Sequence, residues 1–569
     1  MDCDNFPKVF VVLILLSFLI VAVPAIGAWS NDPAVNTPVS VAANNQEDQR
    51  IQRDESGGAI IVWTDYRSGG SYGDIYVQKV DADGTMLWDV NGIALTTGHL
   101  AQNPRLHRDG SGGAVITWEQ YKGSNFDIYA QKVDSYGAIK WTSGGLAVCT
   151  ATHTQRYPLI WDDGSGGAFI VWQDNRNGST TTNYDIFIQR ITSSGSAVCT
   201  ANGAAVSTSS GDQTNPRIVG NSDGSVIVVW QDYRSGTNWD IYAQKIDLNC
   251  NMLWTANGVP VVTATGDQSW QRPVADGSGG AIITWEDYRS GTGIQVYAQR
   301  LDSTDGHGLW TTNGVPVCYS ACANTGTSTR AYPSIDAYGS SAIIVWQDYR
   351  LGTYTHMYAQ RLDANGNALW AADGIPVSSV EQTHSQWYTD IVTDTYGRST
   401  IAWFDTNGIY AQRIDLSGAN LWTDGGVAVS SLPTSTNNIN FWPALSRDIM
   451  GYSAIIAWTD YRNGSSNEDI YAQKVQSNGT LPCVNYPVKI QGGLYYDTVQ
   501  AACNAANGQT VQVESIEFTE NLDLTSGYTM KLQGGYRGCD FSSPTEFTTI
   551  HGSLAISSGS LTTDRVIIM

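Results

Sequence analysis

Seven histidines and a scatter of loop carboxylates are the groups that could move a proton, and none stands at a recognisable spacing. The candidates on divergent loops are His153, Asp267, His356, Glu381 and His384. A general acid or base needs a positioned partner, and no motif supplies one, so no catalytic residue is assigned. The other chemistry on offer is stacking. Aromatic residues Tyr157, Trp239, Trp270, Tyr332, Trp387 and Trp442 fall on segments where the sequence is least repetitive. Such residues on loops of a rigid scaffold suit a sugar ring or a protein partner. Cys318 and Cys322 are close enough to bridge within one loop, and Cys503 and Cys539 are paired by their place in the same C-terminal stretch. Cysteines without CxxC spacing read as disulfides of an oxidising compartment rather than as zinc ligands.

Charged residues recur far more regularly than these. Tryptophan stands at 63, 118, 172, 230, 285, 346, 403 and 458, at intervals of 55, 54, 58, 55, 61, 57 and 55 residues. Aspartate follows two residues later in seven copies, Gln120 being the exception, and arginine follows that in six. Trp63-Asp65-Arg67, Trp230-Asp232-Arg234 and Trp346-Asp348-Arg350 are representative. A ring of ligands is one reading. A structural joint is the stronger, because an active site needs unlike groups and Arg–carboxylate forks suit a repeated corner.

The elements that carry the motif are strands. Each unit has a Pro-led segment such as Pro216-Arg-Ile, expected to begin a strand at the proline, where its missing N–H does least harm. A β-branched apolar run follows, such as Ala59-Ile-Ile-Val-Trp63, and reads as a strand buried on both faces. An alternating segment (Asp240 to Ile246) and an Asp-x-x-Gly turn leading to a second tryptophan complete the unit. Four hairpin-connected strands at a period near 56 predict an all-β, eight-bladed β-propeller of four-stranded antiparallel blades over residues 29–478. Trp29 to Val41 matches a fourth strand, whereas the last unit runs out after its third. The N-terminal segment is therefore expected to complete the eighth blade and close the ring.

The Asp-x-x-Gly…Trp turn resembles the Asp-box hairpins of sialidase-like propellers, locally and without a sialidase's catalytic set. Across residues 29–476 the chain is similar to secreted bacterial proteins built of Trp-x-Asp-x-Arg repeats. After Asn478 the pattern changes. Asp497-Thr-Val-Gln500 reads as a helix cap, followed by short strands and Gly-rich turns, and residues 479–569 resemble the start of a pectate-lyase-like right-handed parallel β-helix. An apolar last strand implies that a partner covers that open coil.

Val9 to Val23 is an apolar run ahead of small residues, read as a signal peptide over residues 1–28, with an uncleaved anchor as the alternative. Once it is cleaved, no stable membrane insertion is expected. The net charge of −22 argues against nucleic acid. No cofactor is implied, and calcium, though compatible with so acidic a chain, has no EF-type loop. The reading is a secreted, extracellular or outer-surface propeller that presents a non-enzymatic binding face to glycan or protein. Its alternatives are an extracellular polysaccharide hydrolase or lyase with its site at the propeller mouth, and a structural surface-layer protein.

Overall fold

The computed structural model describes residues 29–569 except 31, 99, 179–182, 292, 320–321, 323–329, 353, 379–383, 432–442, 448–452, 464–466, 483–487, 492–494, 497, 507, 515–516, 526 and 537–546. Eight four-stranded antiparallel sheets stand among these residues, one for each motif tryptophan. Blade 4 is typical, with strands Gln213–Gly220, Val226–Asp232, Asp240–Ile246 and Val259–Val262 paired in that order. First strands of successive blades are neighbours all the way round, the eighth lying beside the first. They form the wall of a central channel. The second strand of every blade is buried along its length, so each blade offers two apolar faces to its neighbours.

The ring closes as the sequence implies. Thr37–Ser40 pairs antiparallel with Asp469–Val475 and becomes the outer strand of blade 8. Trp29 then does what the second tryptophan does elsewhere. Its Nε1 donates to Ala82 O (2.9 Å) in the turn of blade 1, as Trp310 donates to Ala364 O (2.9 Å) and Trp422 to Ser477 O (3.0 Å). Each indole lies over the glycine of the next blade's turn. A Cβ on Gly306 would come within 2.6 Å of Trp254.

One joint departs from this pattern. Cys199 stands where the tryptophan would be and Cys250 where the glycine would be, with φ +67°. The two form a disulfide with Cα atoms 5.5 Å apart. Their separation of 51 residues hides the pair in the sequence, although it is simply one blade. The expected Cys318–Cys322 bridge is present. Of the expected Cys503–Cys539 pair, Cys503 is a thiol buried among Val499, Ala502 and Val511, and burial pushes it up to about 12. Cys539 lies outside the described residues.

The Pro-led strands also differ from expectation. Pro104, Pro158 and Pro216 sit inside their strands, which begin three residues earlier. In each the pairing skips two residues, as between Thr214 and Arg217. A bulge leaves its extra residue out of the ladder, so proline there forfeits no hydrogen bond.

Beyond the ring, a helix at Val499–Ala505 is capped by Thr498, whose side chain accepts from Ala501 N, while Asp497, the residue expected to open the cap, lies outside the described residues. Thr510–Glu514, Thr529–Tyr536 and Ser560–Asp564 then pair in parallel. Glu517–Thr519, Thr548–His551 and Val566–Ile568 do the same, as do Leu522–Leu524 and Leu554–Ile556. Among the described residues no helix is long and apolar enough to cross a membrane. Residues 1–28, and with them the signal reading, lie outside what the structure describes.

Candidate functional site at the propeller mouth

The repeated charges are spent inside the blades. Asp232 is fully buried and accepts from Trp230 Nε1 (2.8 Å), Arg234 Nε (2.8 Å) and Arg234 Nη2 (2.6 Å). Arg234 also donates to Asn257 O (2.8 Å) and lies 3.7 Å over the Tyr242 ring. Asp65 with Trp63 and Arg67, and Asp348 with Trp346 and Arg350, repeat this arrangement. It is a bidentate ion pair tying the second, third and fourth strands together. In blade 2, where glutamine replaces the aspartate, the indole keeps an acceptor: Trp118 Nε1 donates to Gln120 Oε1 (3.0 Å). In blade 7, where Asn407 replaces arginine, His384 Nε2 stands 3.2 Å from Asp405. His384 is thereby accounted for as a hydrogen-bond partner of the motif carboxyl and of Asn407.

The residues that face outward come from the bulges. Asp48, Asn103, Tyr157, Asn215, Trp270, Tyr332 and Tyr388 all occupy positive φ, from 43° to 58°. They stand at one equivalent position, in six first strands and, for Tyr332, just ahead of a seventh, two residues before the channel residue paired beside the motif tryptophan. Trp442, the matching residue of the eighth repeat in sequence, lies outside the described residues. Left-handed φ is strained for bulky side chains, and such strain gathers at functional sites. Here the blade behind holds the bulge in place. Glu119 accepts from Tyr157 N (2.7 Å), Gln173 from Asn215 N (3.2 Å), and Glu286 from Tyr332 N (2.8 Å) and Ala331 N (2.7 Å).

Three of these aromatics form an arc. Trp270 and Tyr332 meet edge to face at 4.7 Å, and Tyr332 and Tyr388 lie 5.4 Å apart. At one end of the arc, sharing Trp270 with it, a cleft of about 550 Å³ is lined by Trp239, Asp267, Trp270, Tyr288, Arg217 and Arg330, among others. Trp239 and Trp270 line the cleft, Tyr332 packs against Trp270, and Tyr157 is exposed two blades from Trp270. Trp387 is corrected. It packs on Phe404, ring centres 5.7 Å apart, and its neighbour Tyr388 takes the mouth position. The bulge reverses the alternation of the strand by one residue, so the wrong one of two adjacent aromatics was expected there. Of the proton-moving candidates, Asp267 lines the cleft and accepts from Trp239 N (3.0 Å). His356 is buried in its strand, His153 sits in the loop before blade 3 with φ +65°, and Glu381 lies outside the described residues.

An acid pair missed by sequence reading lies at the seam of blades 8 and 1. Glu468 is buried, and burial, then the charge of Glu47 hydrogen-bonded to it, then Asp48, push its carboxyl up to about 8. Burial and Glu47 also raise the Tyr66 hydroxyl. Two carboxyls in contact cannot both ionise easily, so at neutral pH Glu468 keeps a proton it can donate. No repeat signal marks it, because Glu47 and Glu468 meet only when the ring closes.

This pair has a consequence for stability. The folded carboxyl titrates near 8 and the unfolded one near 4.5, so between those values the folded chain holds the extra proton. The contribution is fully present below about 4.5 and is lost as pH rises through about 8. Glu468→Gln is expected to reduce that loss. Denaturation midpoints measured at pH 5 and pH 8.5 should converge relative to the parent chain, and an unchanged difference would show that Glu468 titrates normally.

No protein-family model matches the chain, and no curated protein does. Solved structures similar to it include an ulvan lyase, a polysaccharide lyase, with TM-score 0.40 and 11% identity, covering 66% of this chain and 92% of that one. A Penicillium chrysogenum alpha-L-arabinanase has TM-score 0.34 and 12% identity over 66% and 94%. A eukaryotic initiation factor has TM-score 0.39 and 8% identity over 80% and 94%. At such identities the likeness is one of fold only.

Proposed function

We propose that the chain takes an extracellular glycan at the mouth of its propeller. The observation that carries this reading is Trp270, held at the cleft with left-handed φ and continued ring to ring by Tyr332 and Tyr388, which share that strained backbone. Strain that serves only packing is readily relieved, whereas strain that presents flat apolar rings above a polar cleft suits stacking on sugar faces. The Cys199–Cys250 disulfide accords with an oxidising, extracellular setting.

A second reading is favoured by the acid pair. A protonated Glu468 hydrogen-bonded to Glu47 is a proton-sharing carboxyl pair, a source of general acid–base chemistry for a polysaccharide-acting enzyme. Glu47 directly precedes the mouth residue Asp48. The non-enzymatic reading has no positive observation of this kind behind it. The parallel coils after residue 509 fit the first turns of a right-handed parallel β-helix, serving as a spacer or docking module. A partner chain covering the exposed Ile567 and Met569 belongs to the same proposal.

Trp270→Ala is expected to weaken glycan binding by about 2 kcal/mol, roughly thirtyfold in Kd. A glycan-array screen of the intact chain identifies the ligand, and titration compares the variant with Tyr136→Ala. Tyr136 is 88% exposed on a hairpin turn of the opposite face, and its variant should bind like the parent. Equal loss in both, or in neither, removes the mouth as the site. Product release by the parent, abolished in Glu468→Gln with binding retained, selects the enzymatic reading.

A further inference from the structure

Immediately below the bulges, each first strand places one residue opposite the position that precedes its motif tryptophan. Arg50 pairs with Val62, Arg105 with Thr117, Arg217 with Val229 and Arg272 with Thr284. Asp390 holds the position in blade 7, and leucine, serine and alanine fill it in the rest. Four arginines from blades 1, 2, 4 and 5 thus stand at one level of the channel wall, in a chain whose net charge is −22.

These arginines differ from those of the repeat motif. Arg67, Arg176, Arg234, Arg289, Arg350 and Arg462 each grip the aspartate two residues before them. Among the described residues, none of the four channel arginines forms an ion pair. Arg50, Arg105 and Arg217 each donate only to the carbonyl of the preceding residue, at 2.6, 2.7 and 3.0 Å. The acids whose charge reaches them are chiefly Asp48 and Asp390. Asp390 is largely occupied, accepting from Ile391 N (3.0 Å), Leu445 N (3.0 Å) and Ser334 Oγ (3.4 Å).

The guanidinium groups also feel one another across the channel. Arg217 is pushed well below its ordinary value, first by burial and then by Arg272, Arg105 and Arg50. A guanidinium does not give up its proton in a protein, so the repulsion stands until a counter-charge arrives. Arg217 lines the floor of the cleft that Trp239 and Trp270 line as well. Arg217 thus joins the cleft to the level of the channel wall that Arg50, Arg105 and Arg272 share.

We propose that the upper channel is an oxyanion site formed by Arg50, Arg105, Arg217 and Arg272, and that the glycan taken at the mouth is acidic. The forked guanidinium matches the paired oxygens of a carboxylate or a sulfate ester. The glycan half of the proposal rests on the mouth reading above. The oxyanion half does not.

The test is calorimetric titration of the intact chain at constant ionic strength. Sodium sulfate, a uronate oligosaccharide and a neutral oligosaccharide of the same length are compared on the parent, Arg217→Met and Arg272→Met. The uronate oligomer is expected to bind at least tenfold more tightly than the neutral one, to be displaced by sulfate, and to lose that preference in both variants. Sulfate binding that the variants abolish, with no oligosaccharide bound, keeps the oxyanion site and overturns the acidic-glycan half. No sulfate binding, or equal affinity for neutral and acidic oligomers with variants unchanged, overturns the site itself. Thermal melting in a chloride buffer controls for folding. The variants should melt no lower than the parent, because each removes an uncompensated like charge.

Discussion

Asp232→Ala is expected to lower the unfolding free energy by about 3–5 kcal/mol, the cost of breaking a buried ion pair from one side. The carboxylate is fully buried and holds three donors at once: the Trp230 indole, the Arg234 side chain and Arg234 N (2.9 Å). Alanine leaves the buried indole N–H without an acceptor and the guanidinium with the Asn257 carbonyl but no counter-charge. The chain itself contains the milder alternative. Blade 2 reads Trp118-Glu-Gln120-Tyr-Lys122, with Gln120 retaining the indole and Lys122 4.6 Å over Tyr129. Asp232→Gln combined with Arg234→Lys copies that blade and is expected to cost about 1–2 kcal/mol, since no charge is stranded. Guanidinium denaturation of the two variants distinguishes them. If Asp232→Ala changes stability by less than about 0.5 kcal/mol, as an ordinary surface substitution does, the motif is not the joint described here.

Removing residues 29–41 should have a larger effect, because it opens the ring rather than loosening one corner. That segment supplies the outer strand of blade 8 and Trp29, which is 1% exposed. It also supplies Asn36, whose Nδ2 donates to Val429 O (2.8 Å), and acceptors for Arg462 at Ala34 O and Asn36 Oδ1. Losing a buried tryptophan alone costs about 3–5 kcal/mol. Losing the strand as well leaves Asp469–Val475 as an unpaired edge, which invites association with other chains. The shortened protein is expected to melt well below the parent and to show aggregates by light scattering, with a synthetic 29–41 peptide restoring part of the loss. An unchanged melting temperature in a monomeric product would mean that the first-strand contacts close the ring without this segment.

Much of the fold was legible because it is periodic. One tryptophan per unit, apolar second strands and Asp-x-x-Gly turns each report a local preference, and local preferences survive in a string of letters. Even closure was legible, since Trp29 to Val41 is an orphaned fourth strand. The joint at Cys199 and Cys250 was legible in principle: aligning the repeats shows a tryptophan and a glycine exchanged together for cysteine. The bulge was not. It shifts the alternation by one residue, sending Trp387 into the core beside Phe404 and Tyr388 to the mouth. Sequence alone does not say where a strand will skip.

The sequence by itself determined the blades, their number and the use of the Trp-Asp-Arg motif as a structural joint. Only the tertiary structure decided what the blades share. Arg50 and Arg272 are 222 residues apart, and Glu47 and Glu468 are 421 apart, yet each pair interacts electrostatically. Within a blade, side chains meet through short hairpins that the chain encodes directly. Across the channel and at the closing seam they meet because eight similar wedges complete a circle, and that geometry belongs to no single stretch of residues.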